Sequence, residues 1–478
     1  MSNTIAKTKS NVIDELFQKF GEPHVLTTSE AFKPYITDWR GLWHGHPLAI
    51  LRPSTTEMAA LMVCACATAD IEMVPQGGHT GLCGGAMPNE TGQQVIISVD
   101  RMTQVIDMDP LNNTMAVEAG CILADAKAAA AQVHRLFPLS LASEGSCRIG
   151  GNIATNAGGI HVLRYGNMRD LILGLEVVLP DGRVWSNLKG LRKDNTGYDL
   201  KHIFIGSEGT IGLITKAVLK LFPQPQSHTV VMCAIETPHN ALIAMHALQK
   251  SFGTRLVAAE LLPRIGMAFC CKHAPHSNDP FEDIHPWYIL FELEHHSGDS
   301  DTCALMDPLE AALRRVDGLR DVIVSQSEQQ AANLWHIRHA MSEAQKPEGG
   351  SIKHDISVSV SNIPDFIDAA TQAITDWMPG IRPVPFGHVG DGNIHFNLSQ
   401  PVGMQKETFL ANREKANEII HKIVMDMGGS ISAEHGIGQL KRGELGRTMP
   451  DVQQDMLRAI KRAFDPTDRM NPGKLLPA

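Results

Sequence analysis

The sequence predicts an α+β fold, because three zones of different pattern follow one another along the chain. In residues 47–222 glycine is dense, and short β-branched segments alternate with helical ones. Residues 227–400 alternate strand-like segments with long amphipathic helices, and about 75 mainly helical residues follow. Pro223 and Pro225 interrupt both kinds of element between the first two zones. We therefore expect domains at residues 1–225 and 226–430, and a C-terminal segment at residues 431–478.

Individual elements follow from hydrophobic periodicity and from turn residues. In the first zone we predict strands at Val95–Val99, Thr114–Glu118, Leu175–Leu179 and Ile211–Lys220, and helices at Thr56–Ala69 and Leu123–Gln132. In the second zone we predict strands at Val230–Ile235 and Trp287–Glu294, and helices at Asp307–Val316 and Ile363–Trp377.

Composition excludes several classes of protein. The chain has 478 residues and a net charge of −10, which argues against a protein that coats nucleic acid or anionic lipid. Its longest apolar run, Met58–Ala69, is shorter than the ~20 residues of a transmembrane helix, and the N-terminal residues lack the apolar stretch of a signal peptide. The nine cysteines have neither redox nor iron–sulfur spacing. We expect a cytoplasmic protein with reduced thiols, no transmembrane segment and no nucleic-acid partner.

Three glycine clusters lie in the first zone. They span residues 75–85, 150–159 and 205–210. Glycine allows backbone N–H groups to converge on an anion such as a pyrophosphate. Neither the Rossmann nor the P-loop motif is present, and a single cluster of this kind is usually only a tight turn. Three clusters together favour a nucleotide cofactor.

A second group of functional residues surrounds a predicted hairpin at Asp391-Gly392. A two-residue turn there would place His388 opposite His395, with Cβ atoms ~5 Å apart, close enough to share a metal ion. Period two puts His395 and Asn397 on one face. Structural histidines are the alternative interpretation.

The segment Ser432–Gly438 contains another candidate ligand. Glu434 could complete a site of two histidines and one carboxylate, an arrangement that leaves coordination positions open. The adjacent His435 would point in another direction, toward substrate. A solvated acid beside a helix cap is the alternative.

Candidate anion-binding residues follow the helical pattern around Arg338. Ser342 is four residues further and would share its helix face, and Lys353 adds a second cation. The planar guanidinium of arginine matches a carboxylate. A solvated arginine is the alternative.

Several ordered motifs make the chain recognisable. Pro75–Ala86, Gly145–Asn152, Ala157–Gly159, Arg164–Gly166, Arg192–Leu200 and Ile205–Gly212 resemble the FAD-binding half of the vanillyl-alcohol-oxidase-type flavoproteins. The resemblance is to their branch of D-2-hydroxyglutarate and D-lactate dehydrogenases, and it runs from about residue 45 to the C-terminus. It implies a FAD-binding domain at 1–225, a ferredoxin-like α+β substrate domain at 226–430, and a segment at 431–478 that returns to the flavin and active site.

The resemblance also implies roles for individual residues. Those expected to bind FAD are Pro75, Gln76, Gly77, Gly78, His79, Thr80, Gly81, Gly84, Gly85, Ser140, Leu141, Ser143, Ser146, Gly150, Asn152, Asn156, Gly158, Gly159, Gly206, Glu208, Gly209, Ile214 and Asn471. Some members of the superfamily carry the flavin covalently on the histidine that corresponds to His79, whereas we expect a hydrogen-bonding role for it here.

The remaining site residues are assigned by the same resemblance. It implies that His388, His395 and Glu434 bind a divalent metal, with Zn²⁺ the usual choice, and that His435 is the catalytic base. Arg338, Ser342, Lys353, Asn397 and His435 would contact the substrate. The family has Thr where this chain has Ser342, a change that keeps the hydroxyl.

These assignments predict oxidation of a D-2-hydroxy acid to a 2-oxo acid, with hydride transfer to FAD. Two cations favour D-2-hydroxyglutarate, or the shorter D-malate, over D-lactate, the alternative within the family. A separate electron acceptor such as electron-transfer flavoprotein is expected, although direct use of O2 stays open. From other classes, a flavin-free metal hydrolase and a non-catalytic flavin sensor remain alternatives. The oligomeric state is also open, a homodimer being one alternative.

Overall fold

The computed structural model describes residues 8–296 and 302–477. The chain divides into two compact units. Unit 1 comprises residues 1–158, 167–223 and 434–478, and unit 2 comprises residues 159–166 and 224–433. The boundaries after residues 223 and 433 differ by a few residues from the predicted ones, and residues 159–166 belong to unit 2 rather than to the first domain. The residues beyond 433 are part of unit 1.

The α-helices are α1 Lys9–Phe20, α2 Ser29–Phe32, α3 Thr56–Thr68, α4 Leu123–Gln132, α5 Ile149–Ala154, α6 Val162–Tyr165, α7 Met168–Leu171, α8 Lys201–Phe204, α9 Pro238–Phe252, α10 Arg264–His273, α11 Thr302–Leu313, α12 Glu328–Ala344, α13 Ile363–Trp377, α14 Lys406–Leu410, α15 Arg413–Asp426, α16 Arg442–Thr448 and α17 Asp451–Phe464. Single 3-10 turns occur at Lys33–Tyr35, Gly253–Arg255, Lys346–Glu348 and Val360–Asn362. Within residues 8–296 and 302–477, no helix has both the length and the apolar character needed to cross a membrane.

The strands are β1 Val25–Leu26, β2 Ala49–Leu51, β3 Glu72–Gln76, β4 Gln94–Ser98, β5 Val105–Asp109, β6 Thr114–Glu118, β7 Arg135–Leu136, β8 Ile172–Val178, β9 Val184–Asn187, β10 Leu213–Lys220, β11 Phe222–Pro223, β12 Ser227–Ile235, β13 Leu256–Pro263, β14 Trp287–His295, β15 Leu319–Val324, β16 Ser351–Ile352, β17 Asp355–Ser357, β18 Arg382–His388 and β19 Asn393–Ser399.

Unit 1 contains a small mixed sheet of order β1-β2-β4-β3. Both β2 and β3 are parallel to β4, whose five residues are all buried, as expected for a central parallel strand. Helix α3 joins β2 to β3, and the Thr55 hydroxyl caps its N-terminus by accepting the Met58 N–H. Because β3 ends at Gln76, the first glycine cluster leaves the sheet at the carboxyl end of that strand.

A second sheet of unit 1 is antiparallel, with the order β5-β6-β10-β8-β9. Its central strand, β10, carries Ile214 as its second residue. The C-terminal residues also return to this unit. The Met73 N–H donates to Arg469 O at 2.7 Å, and the Asn471 N–H donates to Met73 O at the same distance. Asn471 is thereby fixed beside β3.

Unit 2 is built on an antiparallel sheet of order β15-β12-β14-β13-β18-β19-β16, with β17 also paired to β19. Strands β12, β13, β14 and β15, with α9 and α11, form the β-α-β-β-α-β arrangement of ferredoxin-like folds, with α10 added before β14. Alternate residues of β12 contribute to two separate cores: Val231, Cys233 and Ile235 face one, and Val230, Met232 and Ala234 face the other. The sheet is therefore buried on both faces.

Local periodicity predicts most element positions closely. The strand Thr114–Glu118 and the helices Leu123–Gln132 and Ile363–Trp377 have the predicted bounds. The other predicted strands are shifted at their ends, to the bounds given for β4, β8, β10, β12 and β14. The predicted helix at Asp307–Val316 overlaps α11 but is wrong at both ends, because α11 begins at Thr302 and ends at Leu313. The helix continues through Pro308, although proline is favoured in the first turn of a helix.

The predicted register of the His388–His395 hairpin is also wrong. Phe386, not His388, lies opposite His395. A two-residue turn at Asp391-Gly392 needs positive φ at both positions, but only Gly392, at 93°, has it. Asp391 instead accepts a hydrogen bond from the Asn393 N–H, which closes a four-residue loop at 389–392. His388 therefore lies two positions beyond the residue that is opposite His395. On its other side, His388 lies opposite Glu260 of the neighbouring strand β13.

Candidate active site

A cavity opens in unit 1 beside the glycine clusters. It is lined by Pro75, Gln76, Gly77, Gly78, His79, Thr80, Gly81, Leu82, Cys83, Gly85, Ala86, Val99, Arg148, Gly150, Gly151, Asn152, Ala154, Thr155, Glu208, Gly209, Gly212, Leu213, Ile214 and His435. All three glycine clusters contribute to its wall.

The loop after β3 forms one side of this cavity. A Cβ on Gly78 would lie 2.2 Å from Ser146 O, so only glycine permits the loop to approach the segment before α5. Around Gly81, in contrast, no atom would lie within 4 Å of an added Cβ. The loop is thus packed at one end and open at the other, where backbone groups can face a ligand.

His79 is held through both nitrogens of its imidazole. Nε2 donates to Thr37 O at 2.6 Å, and Nδ1 accepts from the Gln76 amide at 3.2 Å. Burial lowers the pKa of His79, in agreement with a neutral ring. A covalent bond from either nitrogen to a flavin would displace one of these two hydrogen bonds.

The predicted FAD residues divide into two groups. Those in the cavity wall are Pro75, Gln76, Gly77, Gly78, His79, Thr80, Gly81, Gly85, Gly150, Asn152, Glu208, Gly209 and Ile214. Those outside it are Gly84, Ser140, Leu141, Ser143, Ser146, Asn156, Gly158, Gly159, Gly206 and Asn471. Some of the second group have contacts within the protein: the Asn156 carboxamide accepts the Arg169 N–H, and the Ser146 hydroxyl donates to Ser143 O.

Arg148 is a cavity residue that the sequence analysis did not select. Among the described residues of the wall it is the one Lys or Arg. Its side chain is oriented by a hydrogen bond from Nη1 to Gly120 O. Val99, Leu213 and Ile214 add apolar side chains to the wall. FAD needs hydrogen-bond donors for its phosphates and apolar contacts for its ring system. The backbone amides and the guanidinium supply the first, and the apolar side chains supply the second.

Asn471 and Glu208 connect the C-terminal residues to the cavity. The Asn471 amide, which is 1% exposed, donates to Gly85 O at 2.9 Å and to Glu208 O at 2.7 Å. The Glu208 carboxylate accepts the N–H groups of Ile437 and Gly438. These residues follow His435, which itself lies in the cavity wall.

The other predicted site residues lie in unit 2, where His388 and Arg338 share one buried carboxylate. Glu260 Oε1 contacts His388 Nδ1, and Glu260 Oε2 contacts Arg338 Nε, both at 2.5 Å. Burial raises the pKa of Glu260, but the opposing effects of Arg338 and His388 lower it to about 2. Glu260 is therefore an ionised acceptor, so the proton of His388 is on Nδ1.

The second histidine, His395, is brought close to the first despite the changed register. Their ring centroids are 5.5 Å apart. His395 Nδ1 lies 3.8 Å from Asp355 Oδ1, and Asn393 donates to the same oxygen at 3.0 Å. Each histidine thus has a buried carboxylate beside its Nδ1. Histidines that bind metals through Nε2 are commonly supported in this way.

The predicted anion-binding residues also lie near one another. Arg338 and Ser342 are one turn apart on α12, and the Lys353 ammonium donates to the Ser342 hydroxyl at 2.8 Å. The Arg338 guanidinium stacks over the Phe386 ring at 5.0 Å. Asn397 is buried on β19, two residues from His395. Arg338 is not the solvated arginine of the alternative interpretation, since it is only 8% exposed.

Glu260 is the residue of unit 2 that sequence analysis missed. It is fully buried within β13, whose eight residues are otherwise apolar. A single acid in a continuous apolar strand is a detectable signal, because a carboxylate is rarely buried without partners. Asp355, the first residue of β17, gave a weaker signal because the polar residues Lys353 and His354 precede it.

Comparisons with known proteins agree with both units. The family model for the C-terminal domain of FAD linked oxidases matches residues 224–475, which is more than half of the chain. The model for the FAD binding domain matches residues 47–186. These matches contradict the alternative of a flavin-free metal hydrolase.

Curated relatives cover almost the whole chain. A D-2-hydroxyglutarate dehydrogenase of Xanthomonas citri pv. viticola is 36% identical, over 92% of each chain. One from Stutzerimonas stutzeri is 34% identical over 98% of this chain and 100% of its own. The mitochondrial D-2-hydroxyglutarate dehydrogenase of Rattus norvegicus is 34% identical over 95% of this chain and 83% of its own.

Solved structures with low sequence identity share the fold. Alkyldihydroxyacetonephosphate synthase aligns with a TM-score of 0.73 at 18% identity, covering 99% of this chain and 86% of that one. p-Cresol methylhydroxylase aligns with a TM-score of 0.74 at 15% identity, covering 98% and 97%. The fold is the α+β fold of the vanillyl-alcohol-oxidase-type flavoproteins, as predicted. The chain belongs to the family of FAD-linked D-2-hydroxy-acid dehydrogenases that includes the three curated relatives, and it is an FAD-dependent oxidoreductase.

Proposed function

We propose that this protein oxidises D-2-hydroxyglutarate to 2-oxoglutarate, with D-malate as the shorter alternative substrate. The observation that carries the proposal is the series of contacts His388–Glu260–Arg338 and Ser342–Lys353, joined by one turn of α12. It combines two cationic side chains with a buried histidine in one unit. The names of the curated relatives support the same substrate.

The two cations suit a substrate with two carboxylates. Arg338 donates a hydrogen bond from Nε to Glu260. Its Nη1 and Nη2 atoms make no hydrogen bond within the described part of the chain. These atoms can therefore offer two parallel donors to a carboxylate. Lys353 provides a second positive charge, already oriented by Ser342. A monocarboxylate such as D-lactate would use only one of the two groups.

We further propose that His388, His395 and Glu434 hold a divalent metal, with Zn²⁺ the best match to two imidazoles and a carboxylate. The protonated Nδ1 of His388 would make Nε2 its ligating atom. Glu434 directly follows Ala433, whose N–H donates to Asp355 O at 3.3 Å. Asp355 also lies beside His395, so chain connectivity favours Glu434 as the third ligand. Such an ion would lower the pKa of a substrate hydroxyl.

His435 would accept the proton of the C2 hydroxyl as general base. Arg338 and Lys353 would hold the carboxylates, so that C2 keeps one orientation, and Asn397 would contribute a hydrogen bond. When bound, FAD supplies the two-electron acceptor for the hydride that leaves C2. The electrons would then pass to a separate acceptor, and electron-transfer flavoprotein is the candidate that the family resemblance suggests.

The test is the rate of flavin bleaching when purified enzyme is mixed anaerobically with D-2-hydroxyglutarate, D-malate, D-lactate or L-2-hydroxyglutarate. We expect D-2-hydroxyglutarate to bleach the flavin fastest and its L-enantiomer not to react. Lys353→Met should raise KM for D-2-hydroxyglutarate by about 10- to 100-fold, because a charged hydrogen bond is worth ~1.5–3 kcal/mol. KM for D-lactate should change less.

Lys346→Met is the matched control, since Lys346 lies seven residues earlier and is largely exposed in a pair with Glu343. An exposed pair of this kind contributes little. Faster bleaching by D-lactate than by D-2-hydroxyglutarate would contradict the proposed substrate. Equal effects of Lys353→Met on both substrates would contradict the role assigned to Lys353.

A further inference from the structure

The Glu208 carboxylate joins the wall of the cofactor cavity to the segment that carries His435. Its Oε1 accepts the Ile437 N–H and its Oε2 accepts the Gly438 N–H, each at 2.7 Å. Glu208 itself belongs to the third glycine cluster and lines the cavity, as His435 does. One carboxylate therefore holds two successive backbone amides, beginning two residues after His435.

Glycine at position 436 is what permits this contact. A Cβ on Gly436 would lie 2.7 Å from Glu208 Oε1, and the residue has a φ of 74°. Successive N–H groups that converge on one anion form a backbone nest, in which hydrogen bonds to a charged acceptor are stronger than neutral ones. The sequence between His435 and Gln439 is thus suited to bind a carboxylate with its backbone.

Further contacts fix both partners of this interaction. Cys83 O accepts the N–H groups of Gln439 and Leu440 at 2.8 and 3.2 Å, so the segment is also attached to the first glycine cluster. On the other side, Glu208 O accepts from the Asn471 amide at 2.7 Å. The carboxylate is therefore held from its own backbone and can act as a rigid support.

We propose that Glu208 is a positioning residue, which holds residues 436–438 so that His435 keeps a fixed place in the cavity wall. The inference rests on the proposed function in one respect, the assignment of His435 as the base. Glu208 does not contact the reacting atoms in this scheme. Its role is to keep the base in the orientation that proton transfer needs.

The test compares Glu208→Gln with the wild-type holoenzyme. A glutamine amide has one acceptor oxygen, so its NH2 group would face one of the two N–H donors. We expect hydrogen exchange of the Ile437 and Gly438 amides to accelerate by about 10-fold or more, measured by mass spectrometry on peptides that span residues 436–441. We expect kcat for D-2-hydroxyglutarate to fall by a similar factor, with a smaller change in KM and with FAD content unchanged.

Glu144→Gln is the matched control, because Glu144 pairs with Lys127 elsewhere in unit 1 and should leave exchange and kcat unchanged. Gly436→Ala provides a second route to the same perturbation, since its methyl group would meet the Glu208 carboxylate. Gly443→Ala is its control, because an added Cβ there meets no atom within 4 Å. If Glu208→Gln does not fold, this second pair of variants decides the question.

Three results would overturn the proposal. Unchanged exchange at residues 437 and 438 would mean that Glu208 does not hold the segment. Faster exchange with unchanged kcat would mean that the segment does not position a base. Loss of FAD from Glu208→Gln would make Glu208 a cofactor ligand instead. If none of the 2-hydroxy acids reduced the flavin of the wild-type enzyme, the proposed function would fail. The exchange measurement would still decide whether Glu208 holds the segment.

Discussion

Replacing Glu260 by glutamine should weaken both the fold of unit 2 and the proposed metal site. Glu260 is fully buried and has two partners, Arg338 Nε and His388 Nδ1. These partners lower its pKa from 4.5 to about 2, although burial alone would raise it. At 1.36 kcal/mol for each pKa unit, this depression corresponds to about 3 kcal/mol of folding free energy. Glu260→Gln should lose up to about that amount at pH 7, because the buried guanidinium keeps no charged partner.

The pH dependence of the loss has a definite sign. A carboxyl group whose pKa is lower in the folded state stabilises the fold above its unfolded pKa, and this contribution disappears as the pH falls toward the folded pKa. The difference in free energy of unfolding between wild type and Glu260→Gln should therefore be full at pH 7 and should narrow between pH 4.5 and about 2. Urea denaturation followed by circular dichroism at several pH values measures it.

A control and a second readout distinguish this effect from a general loss of charge. Glu310→Gln removes an acid of α11 from its exposed pair with Arg314, which is expected to cost less than ~1 kcal/mol. Glu260→Gln should also weaken Zn²⁺ affinity by about 10- to 100-fold, because Glu260 orients His388. Competition with a chelator dye measures this affinity. Equal stability of the two variants, or unchanged Zn²⁺ affinity in Glu260→Gln, would refute the role assigned to Glu260.

Two further predictions concern the cofactor cavity. His435→Gln should keep its FAD but slow flavin reduction by about 10²- to 10⁴-fold, as expected for loss of a general base. Stopped-flow absorbance measures the rate, and His239→Gln, at an exposed histidine, is the control. An unchanged rate would exclude His435 as the base. Acid precipitation should release all flavin into the supernatant, because both ring nitrogens of His79 are engaged by Thr37 and Gln76; flavin that stays in the washed pellet would indicate a covalent bond.

The sequence predicts the fold best where structure depends on neighbouring residues. Helix α4 and helix α13 have the predicted bounds because their periodicity and end signals lie within one segment. The hairpin register was wrong because it depends on the backbone of one residue. Asp391 keeps a negative φ and hydrogen bonds to the Asn393 N–H, and this moves His388 by two positions. Such a choice between turn types is not visible in an Asp-Gly pair alone.

The same distinction separates the candidate site residues that were predicted from those that were missed. His388, His395, Arg338 and His435 belong to local motifs. Glu260, in contrast, is 128 residues from His388, and its function depends entirely on a strand pairing between β13 and β18. Sequence spacing carries no information about such a pairing. In unit 2 it is the residues that hold other side chains, rather than those expected to touch a ligand, that were overlooked.

Glu208 is a second acid whose contacts depend on a distant part of the chain. Its sequence neighbourhood predicts a residue at the cofactor, and it does line the cavity. Its carboxylate, however, accepts the backbone N–H groups of Ile437 and Gly438, which lie 229 and 230 positions further along the chain. Because the partners are backbone groups, no side chain in the sequence indicates them. Both Glu208 and Glu260 are acids in apolar or glycine-rich surroundings, where an unpaired carboxylate would be costly. Such acids require a partner from elsewhere in the chain. One partner of Glu260 is His388, and the partners of Glu208 closely follow His435. Both histidines belong to the proposed reaction.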